Sequence, residues 1–235
     1  MAKRGGGVTY MTSYEKMAGA LLFVLYIIIM PMVVGSFFGL LEGAFSTSFS
    51  EYTRSAIYYY GFLILTILVF HRFLGDTSAR FTANVGNSLQ IMLTGLVLFY
   101  GLNQVFHHVM SLFGQNYSNL INSTVFSQVE APTPLGWLII VLVAPFVEEV
   151  LFRGWVFGLL KGKNNALAYV VSIGLYALMT AWAFCYNAVV YQDFSTFFPL
   201  LQVAISGWAL AWVYDKTGTL WTAIGLHALI NFFTM

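Results

Sequence analysis

The chain has 235 residues, 59% of them hydrophobic and only 8% charged, with a mean hydropathy of +0.79. A soluble domain carries about 25% charged residues, so the composition points to an integral membrane protein in contact with the lipid bilayer. A net charge of +1 without a basic cluster argues against nucleic-acid binding, and the single Cys185 excludes both an intrachain disulfide and a cysteine-based zinc site.

The stretch Met1-Ala-Lys-Arg-Gly-Gly-Gly7 lacks an apolar core and a cleavage site, so the first long apolar run is expected to be a retained helix, not a signal peptide. Apolar runs then follow at 17–40, 55–74, 87–113, 134–160, 166–191, 196–213 and 219–235. Each is close to the roughly 20 residues that cross a bilayer. The expected fold is therefore all-α, a polytopic transmembrane bundle of seven spans, with six to eight as the range. Pro145 removes a backbone donor inside the fourth run and predicts a kink or an opened turn there.

Basic residues order the loops. With a cytoplasmic N-terminus, Lys3, Arg4, Lys16, Arg72, Arg80, Lys161, Lys163 and Lys216 all fall inside, and Arg54 alone falls outside. The polar stretch 114–133 is then expected to be extracellular. Neither internal repeats nor the Gly/Pro-interrupted pairs of inverted-repeat transporters are evident.

Once the loop charges are set aside, a short list of intramembrane polar residues remains. Glu148, Glu149 and Arg153 lie in the fourth run, His227 and Asn231 in the last. A charge at the centre of a membrane helix costs on the order of 2.5–3.5 kcal/mol on insertion scales, so two adjacent glutamates there call for a purpose. Glu149 and Arg153 are spaced i,i+4 and can pair. Glu148 is rotated by roughly 100° around the helix and need not share that arginine. One acid is thereby neutralised and its neighbour left available as a general base. His227 and Asn231 are also i,i+4 and project from one helix face. They could donate hydrogen bonds to an oxyanion, orient a carbonyl, or bond across helices. Arg153 could instead be an interfacial residue snorkelling towards Lys161 and Lys163.

These residues resemble a known family. Glu148-Glu149-Val-Leu-Phe-Arg153-Gly154 is similar to the Glu-Glu-x-x-x-Arg signature of the CAAX prenyl endopeptidase and bacteriocin-processing family (CPBP, or Abi). His227-Ala-Leu-Ile-Asn231, with its lead-in Trp208 to Trp221, resembles that family's His-x-x-x-Asn motif. The resemblance covers about 134–235. It divides a single membrane domain into N-terminal helices over 1–133 and a motif-bearing core over 134–235.

What the resemblance implies is metal-independent and cofactor-free cleavage of a peptide or membrane-anchored protein, such as a bacteriocin leader or pheromone precursor, in a bacterial cell membrane. Glu148 would activate water, Glu149 and Arg153 would support the site, and His227 and Asn231 would stabilise the oxyanion. The family's middle motif, Phe-x-x-x-His, corresponds here to Tyr176 and Thr180, both candidate site-lining residues. A threonine can hold a water but cannot take up its proton, and losing a general acid/base group typically costs about 10²–10⁴ in rate. A non-catalytic relative acting in bacteriocin immunity or in regulating a membrane partner is the alternative to an endopeptidase. A small transporter or proton relay is the third reading.

Overall fold

The computed structural model describes residues 11–112, 134–192 and 197–234, and among these it contains helices and no strand. The predicted extracellular stretch 114–133 and the basic residues Lys3 and Arg4 lie outside the described residues. Nine helices follow in order: α1 (Ser13–Ile29), α2 (Met30–Phe45), α3 (Glu51–Ala83), α4 (Val85–Leu112), α5 (Pro134–Lys161), α6 (Asn165–Thr180), α7 (Trp182–Tyr191), α8 (Phe198–Thr217) and α9 (Leu220–Thr234). The all-α membrane bundle expected from composition is borne out.

Two predicted spans divide. The first, 17–40, is a bent pair in which Ser13–Ile29 and Met32–Phe45 meet at 83°. Pro31 has no backbone N–H to continue the helix ladder. The fifth, 166–191, breaks at Ala181 (φ −109°, ψ 19°) into α6 and α7. Three helices, within α3, α4 and α5, are long and apolar enough to cross a membrane, or four if the bent pair counts as one span. At 1.5 Å per residue the 15-residue α9 is about 22 Å long, short of a hydrocarbon core of roughly 30 Å.

Burial ranks these helices. The apolar window of α5 is 61% buried, against 22% for α3 and 17% for α4. Thus α5 is the central helix, while α3 and α4 present side chains such as Leu68, Leu93 and Val97 to the outside. Small residues let the helices close on one another. A Cβ at Gly95 of α4 would stand 2.5 Å from Val213 of α8 and 3.0 Å from Leu226 of α9. A Cβ at Gly19 of α1 would meet the Trp155 ring at 2.5 and 2.6 Å and Phe70 at 2.7 Å.

Polar side chains stitch one end of the bundle. Thr12 and Glu15 form a capping box at the start of α1, with Glu15 Oε2 accepting from the Thr12 N–H at 2.8 Å. The other oxygen of Glu15 accepts from the Phe73 N–H at 2.8 Å. That N–H follows the kink at Phe70 (φ −104°, ψ 19°), so a buried carboxylate satisfies a donor that the break in α3 frees. At the same end Lys161 pairs with Asp215, Arg80 donates to the Gly218 carbonyl, and Thr77 accepts from the Leu220 N–H at 2.7 Å.

The close approach at Gly19 yields a stability test. Gly19→Ala should cost about 1–3 kcal/mol through overpacking against two rigid rings. Gly61→Ala, where nothing lies within 4 Å, should leave thermal unfolding in detergent unchanged or slightly raised. Equal melting temperatures for wild type and Gly19→Ala would contradict this packing.

Candidate active site

Residues 148 and 149 sit at the middle of α5, 14 residues from Pro134 and 13 from Lys161 for Glu148. The helix is not regular here. Ile139–Val143 and Val150–Phe157 are π-helical, and the glutamates occupy the short α-helical piece between them. Such widened turns recur at functional sites because they redirect side chains while keeping most backbone hydrogen bonds.

Glu149 is wholly buried, and one of its oxygens carries two bonds. Oε1 accepts from Arg153 Nη1 at 2.7 Å and from His227 Nδ1 at 2.9 Å. Arg153 is equally buried, which rules out the snorkelling alternative. Its second amino group donates to the Gly207 carbonyl at 3.2 Å, and its guanidinium lies 4.3 Å from the Tyr176 ring centroid. Gly207 permits this approach of α8. A Cβ there would lie 3.2 Å from the Tyr176 ring and 3.7 Å from Arg153 Nη2.

The network orients His227. An ionised Glu149 can only accept, so Nδ1 of His227 is the donor to it and Nε2 points away from that carboxylate. Facing Nε2 are the Tyr176 hydroxyl at 3.4 Å and Glu148 Oε2 at 3.9 Å. His227 therefore stands between the two glutamates, held by one and turned toward the other. Glu148 differs from its neighbour in exposure, with 15% of its side chain accessible against none for Glu149. Its Oε1 lies 3.5 Å from the Tyr26 hydroxyl.

Asn231 lies one turn beyond His227 but bonds elsewhere, donating from Nδ2 to the Ile140 carbonyl at 2.9 Å. The cause is Pro145. The Ala144 N–H reaches Ile139 O in the π register, and the next donor in that register would come from residue 145, which has none. Asn231 supplies the missing bond from another helix. Thr180 ends α6 and is half-buried. The α6 residue that reaches His227 is Tyr176, one turn earlier. Among the histidines of the first half, His71 faces the Leu68 carbonyl and His107 faces Gln202.

A cavity of about 1050 Å³ opens beside the site, lined by Tyr26, Arg54, Tyr58 and Tyr59 from the first half and by Leu175 and Met179 of α6 among others. Tyr26 belongs both to this cavity and to the contact with Glu148. Sequence reasoning missed it because it lies in the half without motifs. Its only signal is a hydroxyl within the apolar run Leu25-Tyr-Ile-Ile-Ile29. Gly207 was missed as well. Among the described residues no group of three or more His, Cys, Asp and Glu is arranged to hold a metal ion.

Residues 130–233 match the model of the type II CAAX prenyl endopeptidase family described as Rce1-like. The chain is also 27% identical over 143 residues to the UPF0177 protein YxdF of Lactococcus lactis subsp. lactis (strain IL1403), covering 60% of this chain and 72% of that protein. No solved structure matches it. The resemblance carried by the two motifs is thus borne out, and the family match spans the helices that bring those motifs together.

Removing one partner of a buried pair leaves an uncompensated charge. Arg153→Ala should therefore destabilise by about 3–5 kcal/mol, read as a large fall in folded yield and melting temperature. Asn231→Ala leaves the Ile140 carbonyl unpaired and should cost about 1–3 kcal/mol. An Asn231→Ala variant as stable as wild type would show that this bond does not hold α5 to α9.

Proposed function

We propose that the protein is an intramembrane endopeptidase acting on a peptide or membrane-anchored protein, with Glu148 as the general base that activates the hydrolytic water. The observation that carries this reading is the division of labour between adjacent acids. Glu149 is locked by Arg153 and His227, whereas Glu148 retains an accessible edge and faces Nε2 of His227. A largely apolar cavity whose lining residue Tyr26 contacts Glu148 suits an extended or helical segment of a membrane-bound substrate.

In this reading water gives its proton to Glu148 and its oxygen bonds the scissile carbonyl carbon. The carbonyl electrons become an oxyanion, the C–N bond then breaks, and the amine leaves with the proton that Glu148 held. His227 and Asn231 donate hydrogen bonds that stabilise the oxyanion, and the proton that water gives to Glu148 is the only one that moves. Glu149 and Arg153 orient the imidazole, much as a buried carboxylate orients a catalytic histidine elsewhere. Asn231 has one amide hydrogen committed to Ile140, so its second hydrogen would serve the oxyanion.

Orientation follows from charge. Lys16, Arg80, Lys161 and Lys216 belong to the end of the bundle tied together by Glu15–Phe73, Trp155–Lys16, Arg80–Gly218 and Lys161–Asp215. We place that end, and the N-terminus, in the cytoplasm of a bacterial cell. The glutamates then lie about 20 Å from it, at 1.5 Å per residue of α5.

Thr180 supports a second reading, a non-catalytic relative acting in bacteriocin immunity or on a membrane partner, because the family's middle-motif histidine is missing there. One experiment separates the two. Purified protein in liposomes is offered a library of membrane-anchored peptides, and products are read by mass spectrometry. Cleavage should fall about 10²–10⁴-fold in Glu148→Gln, and Thr180→His should raise it. Cleavage that survives Glu148→Gln would defeat the proposed role of Glu148. Absence of cleavage in wild type together with its appearance in Thr180→His would favour the second reading.

A further inference from the structure

Tyr26 lines the cavity and its hydroxyl contacts Glu148, and no motif accounts for it. Its ring is 1% exposed, edge-on to Phe62 at 4.9 Å and tilted against Tyr58 at 6.1 Å, so its direction is fixed by packing. It projects from the widened turn Leu25–Ile29, just before the bend at Pro31. The hydroxyl lies 3.5 Å from Glu148 Oε1, at the outer limit of a hydrogen bond, while the residue lines the cavity of about 1050 Å³. A rigidly held phenol with a long bond to the base is free to take a second, shorter acceptor that arrives from the cavity.

The opposite side of the site is already committed. Tyr176 is engaged with Nε2 of His227, Arg153 with Glu149 and Gly207, and one hydrogen of Asn231 with Ile140. Thr180 cannot protonate anything at neutral pH. We propose that Tyr26 is a further catalytic residue whose phenol O–H binds the oxyanion of the tetrahedral intermediate. This rests on the endopeptidase reading above. Water adds to the carbonyl carbon as its proton passes to Glu148, and the carbonyl electron pair becomes the oxyanion. Tyr26 donates a hydrogen bond to that oxygen and keeps its own proton throughout. Collapse of the intermediate restores the carbonyl, breaks the C–N bond and sends the Glu148 proton to the amine. The donor is preorganised by Phe62 and Tyr58, which is what electrostatic stabilisation of a developing charge requires.

The test uses the full chain in liposomes, the peptide cleaved fastest by wild type, and a phosphinate analogue of its scissile bond as the tetrahedral probe. Tyr26→Phe keeps the ring and its packing but removes the donor. Its kcat should fall about 10²–10³-fold, the range for loss of one oxyanion donor, with KM within about twofold. The phosphinate should bind more weakly by a similar factor. Tyr169→Phe, which removes a hydroxyl from Asp215 at the basic end, should change none of these values. Full activity in Tyr26→Phe while Glu148→Gln is dead overturns this inference and leaves the endopeptidase reading standing. Activity that survives Glu148→Gln defeats the reading itself. A slower Tyr26→Phe with unchanged phosphinate affinity also overturns the inference, because the phenol would then act only through Glu148. If Tyr26→Phe does not fold, a fluorinated tyrosine at 26 keeps the hydroxyl and strengthens it as a donor. Phosphinate affinity should then rise, and an unchanged affinity overturns the proposal.

Discussion

The buried carboxylate of Glu149 is the constraint on which the rest of the arrangement depends. It sits wholly buried at the centre of α5, out of reach of bulk solvent. Arg153 neutralises it from the same helix and His227 reaches it from α9. Such a pair does not stabilise the fold by its mere presence, since desolvating both ions offsets most of their attraction. What it does is specify. Arg153 must also reach the Gly207 carbonyl and lie against Tyr176, so α5, α6, α8 and α9 are held in one register around the carboxylate. The same bond makes Nδ1 of His227 the donor to Glu149 and turns Nε2 toward Glu148.

Irregular backbone is the second theme, and it is not independent of the first. The widened turns of α1 and α5 and the kink in α3 all leave backbone groups without regular helical partners. In a bilayer such groups are tolerated only where protein covers and satisfies them. Asn231 satisfies the Ile140 carbonyl that Pro145 leaves bare, and Glu15 satisfies the Phe73 N–H beyond the break at Phe70. The widened turns carry functional candidates with them: Tyr26 in one, Arg153 in another. Departures from the regular helix thus accompany the side chains that reach the two glutamates, Tyr26 at Glu148 and Arg153 at Glu149.

In the proposed reading the apolar cavity links these features to a substrate. It is bordered by the bent first pair of helices and by α6 and α7, elements that the family match does not cover equally. Residues 130–233 carry the matched motifs, whereas Tyr26, Arg54, Tyr58 and Tyr59 come from outside that range. In the proposed mechanism the matched half supplies the base, its supports and the donors His227 and Asn231, and the unmatched half supplies the chamber and Tyr26 as a further oxyanion donor.

Much of the site was legible in the chain alone, for a simple reason. Charges in an apolar run are conspicuous, and the i,i+4 spacing of Glu149 and Arg153 and of His227 and Asn231 is local geometry that any helix imposes. Composition likewise determined that the fold is a bundle of membrane helices. Tertiary structure decided the partners. Nothing local tells that Asn231 meets a carbonyl orphaned by Pro145, that His227 bridges both glutamates, or that Tyr26 stands 3.5 Å from Glu148. It also decided that the first and fifth apolar runs are each two helices, since hydropathy records how apolar a run is and not where its backbone breaks. Helical periodicity fixes neighbours within a turn, whereas contacts between residues 26 and 148 or 149 and 227 exist only once the helices have packed.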